Sequence, residues 1–189
     1  EIVEESVKQN VLSLTLYAFS SENWSRPKSE IDAIKKLVLK AINEQVPDLK
    51  KQKVKLKFFR EIDDFGSKIL SKINEAEVAT DSYEPVLNLN IALGYGGRKD
   101  IVNVTKKISN KVVSGEINPE QIDEAMIANF SCSPIDNIDL LIRTGGDKRI
   151  SNFLLYQIAY TEILFVNKYW PDFTKEDFIE CIDNFKKVR

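Results

Sequence analysis

Apolar and polar positions follow two periods along this chain, and the two take turns. Residues 11–19 alternate and are rich in Val, Leu, Thr, Tyr and Phe, which predicts a strand; a polar loop follows to Pro27. Ile31, Ile34, Leu37, Val38, Ala41, Ile42 and Leu49 then recur at helical spacing. Residues 54–59 predict a second strand, and 65–79 a helix with Ile69, Ile73 and Ala76 inward. A third strand, 86–93, breaks at Gly94-Tyr95-Gly96-Gly97, and the next helix carries Ile101, Val104 and Ile108 on one face. Pro119 marks the start of a further helix. The short apolar strand 138–142 ends at "RTGGDKRIS", residues 143–151, with a helix expected after it. A last strand is expected at 163–166, and Thr174 is placed to N-cap a final helix toward Lys187. No repeat and no low-complexity linker interrupts this order. It predicts an α/β fold: a single domain over 1–189, with about six strands in one mostly parallel central sheet and helices on both faces.

Composition narrows the chemistry. The 189 residues are 43% hydrophobic and 30% charged, which is ordinary globular usage. A net charge of −2 gives no global basic field, so nucleic acid is not an expected partner and any anion site must be local. The absence of histidine excludes imidazole acid–base chemistry and Cys/His metal sites for the sequence as given. Two cysteines, Cys132 and Cys181, lack metal-ligand spacing and fit a reducing compartment. No apolar run is long enough to span a bilayer.

In open parallel sheets, ligands bind beyond the carboxyl ends of the strands. The loops 20–27, 94–100 and 143–151 are expected there, on one rim. Arg143 and Arg149 can fork onto phosphate oxygens. Gly145 and Gly146 would let the backbone approach closely, and Ser151 would cap the helix after it, at an anion-attracting N-terminus. The plain alternative is solvated arginines and turn glycines, since none of these loops is a known phosphate motif such as the P-loop.

Four segments, "LTLYAFSSENWSRP", "LNIALGYGGRKDIV", "LLIRTGGDKRISNFLLYQIAYTE" and "YWPDF", resemble the signature segments of the bacterial undecaprenyl diphosphate synthases, the cis-prenyltransferases. The resemblance covers nearly the whole chain, in order. It implies an Mg²⁺-dependent enzyme that condenses isopentenyl diphosphate onto farnesyl diphosphate with cis geometry. The product would be a long polyprenyl diphosphate, the lipid carrier of cell-wall synthesis. It further implies a homodimer, with the growing chain held in a tunnel between helices and sheet. By matching position, Arg143, Arg149 and Ser151, with the intervening Ile150, would bind the diphosphate of isopentenyl diphosphate, and Glu162 would be a magnesium-associated carboxylate. Ser20, Asn23, Trp24 and Arg26 would form the mobile catalytic loop, with Ser20, Ser21 and Glu22 lining substrate. Asn23 matches the proposed proton acceptor. An amide is a poor base, so a diphosphate oxygen oriented by Asn23 is the alternative acceptor. Trp24 would shield the site or pack on a prenyl chain, or else simply anchor the loop. Glu30 would help the loop close, and Asp100 would be structural. Ile34, Leu37 and Ala41 read as core by periodicity; the resemblance sets them along the tunnel, where the small Ala41 leaves room for product.

The departures bear on activity. The family's opening strand and its Asp-Gly-Asn-Gly-Arg-Trp segment, with the metal-binding aspartate and the allylic diphosphate clamp, do not occur in the sequence, which starts in the helix "EIVEESVKQN". A protein beginning at Glu1 is therefore expected to be inactive, and one carrying that segment active. Arg60 and Glu61 replace a Gly and an Asp, Lys148 stands where some members have His, and Lys99 replaces a common Trp. Two other readings are a catalytically silent prenyltransferase-like subunit and a generic α/β phosphate-binding module. The intact Ser-Glu-Asn-Trp loop argues against the first, and the lack of P-loop or G-x-G-x-x-G against the second. The apolar run 153–165 predicts a dimer surface. Soluble diphosphate substrates and a membrane-partitioning product imply a cytoplasmic enzyme, peripheral to the inner membrane face.

Overall fold

The computed structural model describes residues 1–60, 65–82 and 84–188. Glu61, one of the departures noted above, lies outside the described residues. The chain divides into two compact units, Glu1–Tyr95 and Gly96–Arg189.

In the first unit, helix α1 (Ile2–Lys8) leads to strand β1 (Ser13–Ser20), a 3-10 turn (Ser21–Ser25) and helix α2 (Lys28–Lys51). Strand β2 (Val54–Phe59), helix α3 (Ser67–Thr80) and strand β3 (Leu87–Tyr95) complete it. The sheet is parallel, ordered β1-β3-β2. β3 runs in the middle with both its edges paired, and Leu87, Leu89, Ala92, Leu93 and Tyr95 are all buried. Asn90 is buried on the same strand and donates from Nδ2 to Ser13 Oγ at 2.9 Å. Ile69, Ile73 and Ala76 of α3 point into the core as expected. Thr80 ends that helix by donating to the Ala76 carbonyl at 2.8 Å while accepting from Leu56 N at 3.1 Å, which ties α3 to β2.

Helix α2 keeps the expected face except at Leu37 and Ala41. Its buried residues are Ile42 and Leu49, flanked by half-buried Ile34, Val38, Leu39 and Val46. Steps of four and three from Ile34 to Leu49 keep one stripe inward and rotate Leu37 and Ala41 off it. Leu37 is 63% exposed and Ala41 is also exposed, so Ile34 alone of the three tunnel candidates packs on the core.

In the second unit, helix α4 (Gly97–Val113) is followed by a 3-10 turn (Pro119–Gln121) and helix α5 (Glu124–Phe130). Pro119 therefore opens a single tight turn, and the helix starts later, with Asp123 as its cap accepting from Met126 N at 2.7 Å. Strands β4 (Leu140–Arg143) and β5 (Glu162–Phe165) pair in parallel. Helix α6 (Lys175–Val188) closes the chain, and Thr174 caps it as expected: its Oγ accepts from Asp177 N, and Asp177 Oδ2 accepts from Thr174 N. Val104, Ile108, Phe153, Leu154, Ile158, Phe173, Phe178 and Cys181 are buried.

The α/β class and parallel pairing agree with the pattern. Among the described residues the first unit carries a three-stranded parallel ladder and the second a two-stranded one. No helix follows Ser151. Residues 151–160 run as successive turns, because Ser151, Asn152 and Leu154 take left-handed φ values of 48°, 61° and 45° that no α-helix tolerates.

Candidate active site

The Ser20 loop begins where β1 becomes irregular. Its register against β3 shifts between Tyr17 and Phe19 and again before Ser20, which pairs with Tyr95. Such a bulge re-aims side chains. Phe19 turns into the core at 2% exposed and meets Trp24 and Phe65 edge-to-face, with ring centroids 5.0 and 5.6 Å away. Trp24 also contacts Phe65 at 4.8 Å, and its Nε1 is buried with no hydrogen-bond partner among the described residues. The indole is therefore the hydrophobic anchor of the loop in this structure. Lys35 Nζ lies 5.3 Å from its ring.

Polar groups of the loop are largely turned onto one another. Ser20 N donates to Asn23 Oδ1 at 2.9 Å, Ser21 Oγ to Glu22 Oε2 at 3.0 Å, and Ser25 Oγ to the Glu22 carbonyl at 2.8 Å. Asn23 Oδ1 is turned onto a backbone N–H, and the amide's NH₂ is the donor it can offer. That fits orienting an anion better than accepting a proton. Glu30 sits one helical turn from Arg26, Oε2 to Nη1 3.8 Å, so the acid expected to help close the loop does contact it. Tyr17 donates to the Tyr95 carbonyl at 2.9 Å beneath this loop. Burial, reinforced by the Glu22 carboxylate and partly offset by a Ser20 hydrogen bond, pushes its phenol up to about 12.

In the second unit, "RTGGDKRIS" folds into a cluster. Arg143, the last residue of β4, donates from Nη1 to Ser151 Oγ at 2.6 Å and from Nη2 to Asp147 Oδ2 at 3.1 Å. Arg149 Nη2 reaches the same Asp147 oxygen at 2.6 Å. The three residues assigned to a diphosphate are thus brought together, around an acid that the sequence reading passed over. Its spacing, four after Arg143 and two before Arg149, was the available signal. Ile150 is half-buried beside them, and its carbonyl accepts from Phe153 N at 3.1 Å.

Two expectations for this loop change. Gly145 and Gly146 do adopt φ of 94° and 79°, but their N–H groups donate to the carbonyls of Lys168 and Val166, at 2.7 and 3.1 Å. The backbone there binds chain rather than ligand. Ser151 caps no helix. The cap comes instead from Asn152 and is given to α4: its carbonyl accepts from Gly97 N at 2.7 Å and its Oδ1 from Arg98 N at 2.9 Å. Gly97 allows this approach, since a Cβ there would meet Leu155 Cγ at 2.7 Å. Asp100, in the first turn of α4, is 4% exposed and accepts from Ser131 Oγ at 2.6 Å and Cys132 N at 3.0 Å, a structural role as expected. Ser131 Oγ in turn accepts from Gln157 Nε2 at 3.2 Å.

Glu162 is not part of the arginine cluster. It opens β5 opposite Leu140, whereas Arg143 pairs with Phe165. Three residues of strand separate the two positions, about 10 Å. Its carboxylate is exposed, and among the described residues no group of three or more acids or thiols is arranged to hold a metal. The donor chemistry still suits Mg²⁺, which takes one or two carboxylates and fills its shell with water and substrate phosphate oxygens.

Of the described residues, no helix is long and apolar enough to cross a membrane. Within the run 153–165, Phe153, Leu154 and Ile158 are buried, while Tyr160 is 91% and Phe165 38% exposed.

A family model described as "Putative undecaprenyl diphosphate synthase" matches residues 1–189. The chain is 42% identical over 183 residues to the farnesyl-diphosphate-specific ditrans,polycis-undecaprenyl-diphosphate synthase of Pasteurella multocida, covering 96% of this chain and 76% of that one. The Escherichia coli K12 enzyme of the same name is 41% identical over 184 residues, 97% of this chain and 72% of that one. Among solved structures, lavandulyl diphosphate synthase of Lavandula x intermedia superposes with a TM-score of 0.93 at 28% identity, covering 98% of this chain and 80% of that one. A probable undecaprenyl diphosphate synthase of Campylobacter jejuni gives 0.85 at 33% identity, over 97% and 85%. With the loop motifs in place on a parallel α/β scaffold, the chain belongs to the undecaprenyl diphosphate synthase family of prenyltransferases.

Proposed function

We propose that this protein elongates farnesyl diphosphate with isopentenyl diphosphate units in cis geometry, giving a long polyprenyl diphosphate carrier lipid. The observation that carries the reading is the convergence of Arg143, Arg149 and Ser151 in one cluster. Two guanidiniums and a hydroxyl suit the diphosphate of isopentenyl diphosphate. Condensation joins the allylic carbon to the incoming unit, releases diphosphate from the allylic partner and removes a proton from the new unit. Negative charge grows on the leaving group, so fixed donors lower the barrier. Asn23 offers its NH₂ to a diphosphate oxygen and orients it as proton acceptor. Ser20, Ser21, Glu22 and Arg26 line the substrate, with Trp24 as the anchor that holds their loop.

Mg²⁺, held by Glu162 and by substrate oxygens, would neutralise charge on the diphosphate. The family match runs through both units, which supports one catalytic domain over 1–189. Exposed Tyr160, Phe165, Tyr169 and Trp170 support a homodimer through the C-terminal third. Soluble substrates and a lipid product support a cytoplasmic enzyme that works against the inner membrane face.

Incorporation of radiolabelled isopentenyl diphosphate in the full-length enzyme tests the reading. Arg143→Ala and Arg149→Ala should each raise the KM for that substrate about ten- to a hundredfold, the worth of a charge-assisted contact. Unchanged kinetics in both would remove the cluster from the reaction.

A further inference from the structure

We propose that Asp147 is the built-in counter-anion of the arginine cluster, and that a diphosphate binds by displacing it. The inference rests on the proposed role of Arg143 and Arg149. One oxygen of Asp147, Oδ2, lies 2.6 Å from Arg149 Nη2 and 3.1 Å from Arg143 Nη2. A single anionic oxygen shared between two guanidiniums is the contact that a phosphate oxygen would make there.

That shared oxygen occupies the position from which an anion would bridge both guanidiniums. The other Nη of Arg143 is taken by Ser151 Oγ at 2.6 Å, and its Nε is buried. The N–H groups of Gly145 and Gly146 are spent on the carbonyls of Lys168 and Val166. An anion that bridges both guanidiniums must therefore exchange with the carboxylate. Asp147 can give way: its side chain is 48% exposed and belongs to neither helix nor strand. The exchange has a sign. Two arginines and one carboxylate leave the empty cluster at +1, so like charges are held together without ligand, and a multiply charged anion wins the contest. The same contest lowers affinity for every diphosphate by a constant factor, which speeds release.

Titration calorimetry of the full chain with inorganic pyrophosphate tests this on wild type, Asp147→Asn and Arg149→Ala. Asp147→Asn should bind about three- to tenfold tighter at low salt, the size of two exposed ion pairs, with the gain shrinking as salt rises. Arg149→Ala should bind more weakly. If Arg149→Ala binds as wild type does, the cluster is not the anion site, and both the inference and the reading beneath it fall. If Arg149→Ala weakens binding while Asp147→Asn is unchanged or weaker, Asp147 props up the arginines instead of competing for them. The inference then fails and the site stands.

Discussion

Asn23 turns its side-chain oxygen back onto the backbone N–H of Ser20, 2.9 Å away. The bond closes the turn and leaves an NH₂ donor as the amide's outward chemistry. Asn23→Asp keeps an acceptor for Ser20 but exchanges that donor for a charge that repels diphosphate. It should unfold at the wild-type temperature while kcat falls about a hundredfold, the worth of one fixed donor. Asn23→Ala should lose both turn stability and rate. Full turnover by the Asp variant would end the donor assignment.

Tyr17 should give the protein an alkaline stability limit. Its folded pKa is raised, by burial first and the Glu22 charge second, to about 12 from 10, so the native state holds the proton more tightly than the unfolded chain. That contribution is whole below about pH 10 and is lost as pH rises through about 12. Urea unfolding on either side of pH 10 should show stability declining with pH in wild type and declining less in Tyr17→Phe. At neutral pH the variant should be weaker by about 1 kcal/mol, the bond to the Tyr95 carbonyl. Equal slopes for the two proteins would assign the alkaline limit elsewhere.

Gly97→Ala should be costly. The new methyl would stand 2.7 Å from Leu155 Cγ and 3.0 Å from Leu155 N; the side chain can yield, the backbone cannot. Overpacking of this kind costs about 1–3 kcal/mol. The melting temperature should fall by about 2–12 °C, and pyrophosphate affinity should fall with it because Ser151 sits on the displaced segment. An unchanged melting curve would mean that 151–160 is free to shift.

Asp100→Ala should destabilise the fold by about 3 kcal/mol, since a buried charged acceptor with two donors is lost. Asp100→Asn keeps one acceptor and should lose about a third of that. Denaturant midpoints order the three proteins. An alanine variant as stable as wild type would contradict the structural role.

Strands and helices governed by local pattern were legible from the residues. Strand 54–59 is reproduced residue for residue, and Ile69, Ile73 and Ala76 face inward because one α3 stripe meets one sheet face. What local pattern does not carry is long-range. Residues 151–160 have helical composition, yet Asn152 is drawn into capping α4 and Gly97 admits Leu155, so the segment turns instead. The strand order β1-β3-β2 lay beyond local pattern for a related reason: which strands pair is decided by partners distant in sequence. At the candidate site, Arg143, Arg149 and Ser151 were readable as anion ligands from their chemistry. Asp147 was hidden because an acid amid bases looks like solvated charge until its oxygen is seen shared between two guanidiniums.

The bond from Arg98 N to Asn152 Oδ1 spans 54 positions of sequence. Closing so long a loop costs entropy before any contact rewards it, and contacts of this kind slow folding. Ser151, the neighbour of Asn152, is only eight positions from Arg143, so the anion cluster closes locally and it is its placement against α4 that waits for the long loop. The cluster's amides should exchange hydrogen sooner than those of the α4 interior, where Val104 and Ile108 are packed.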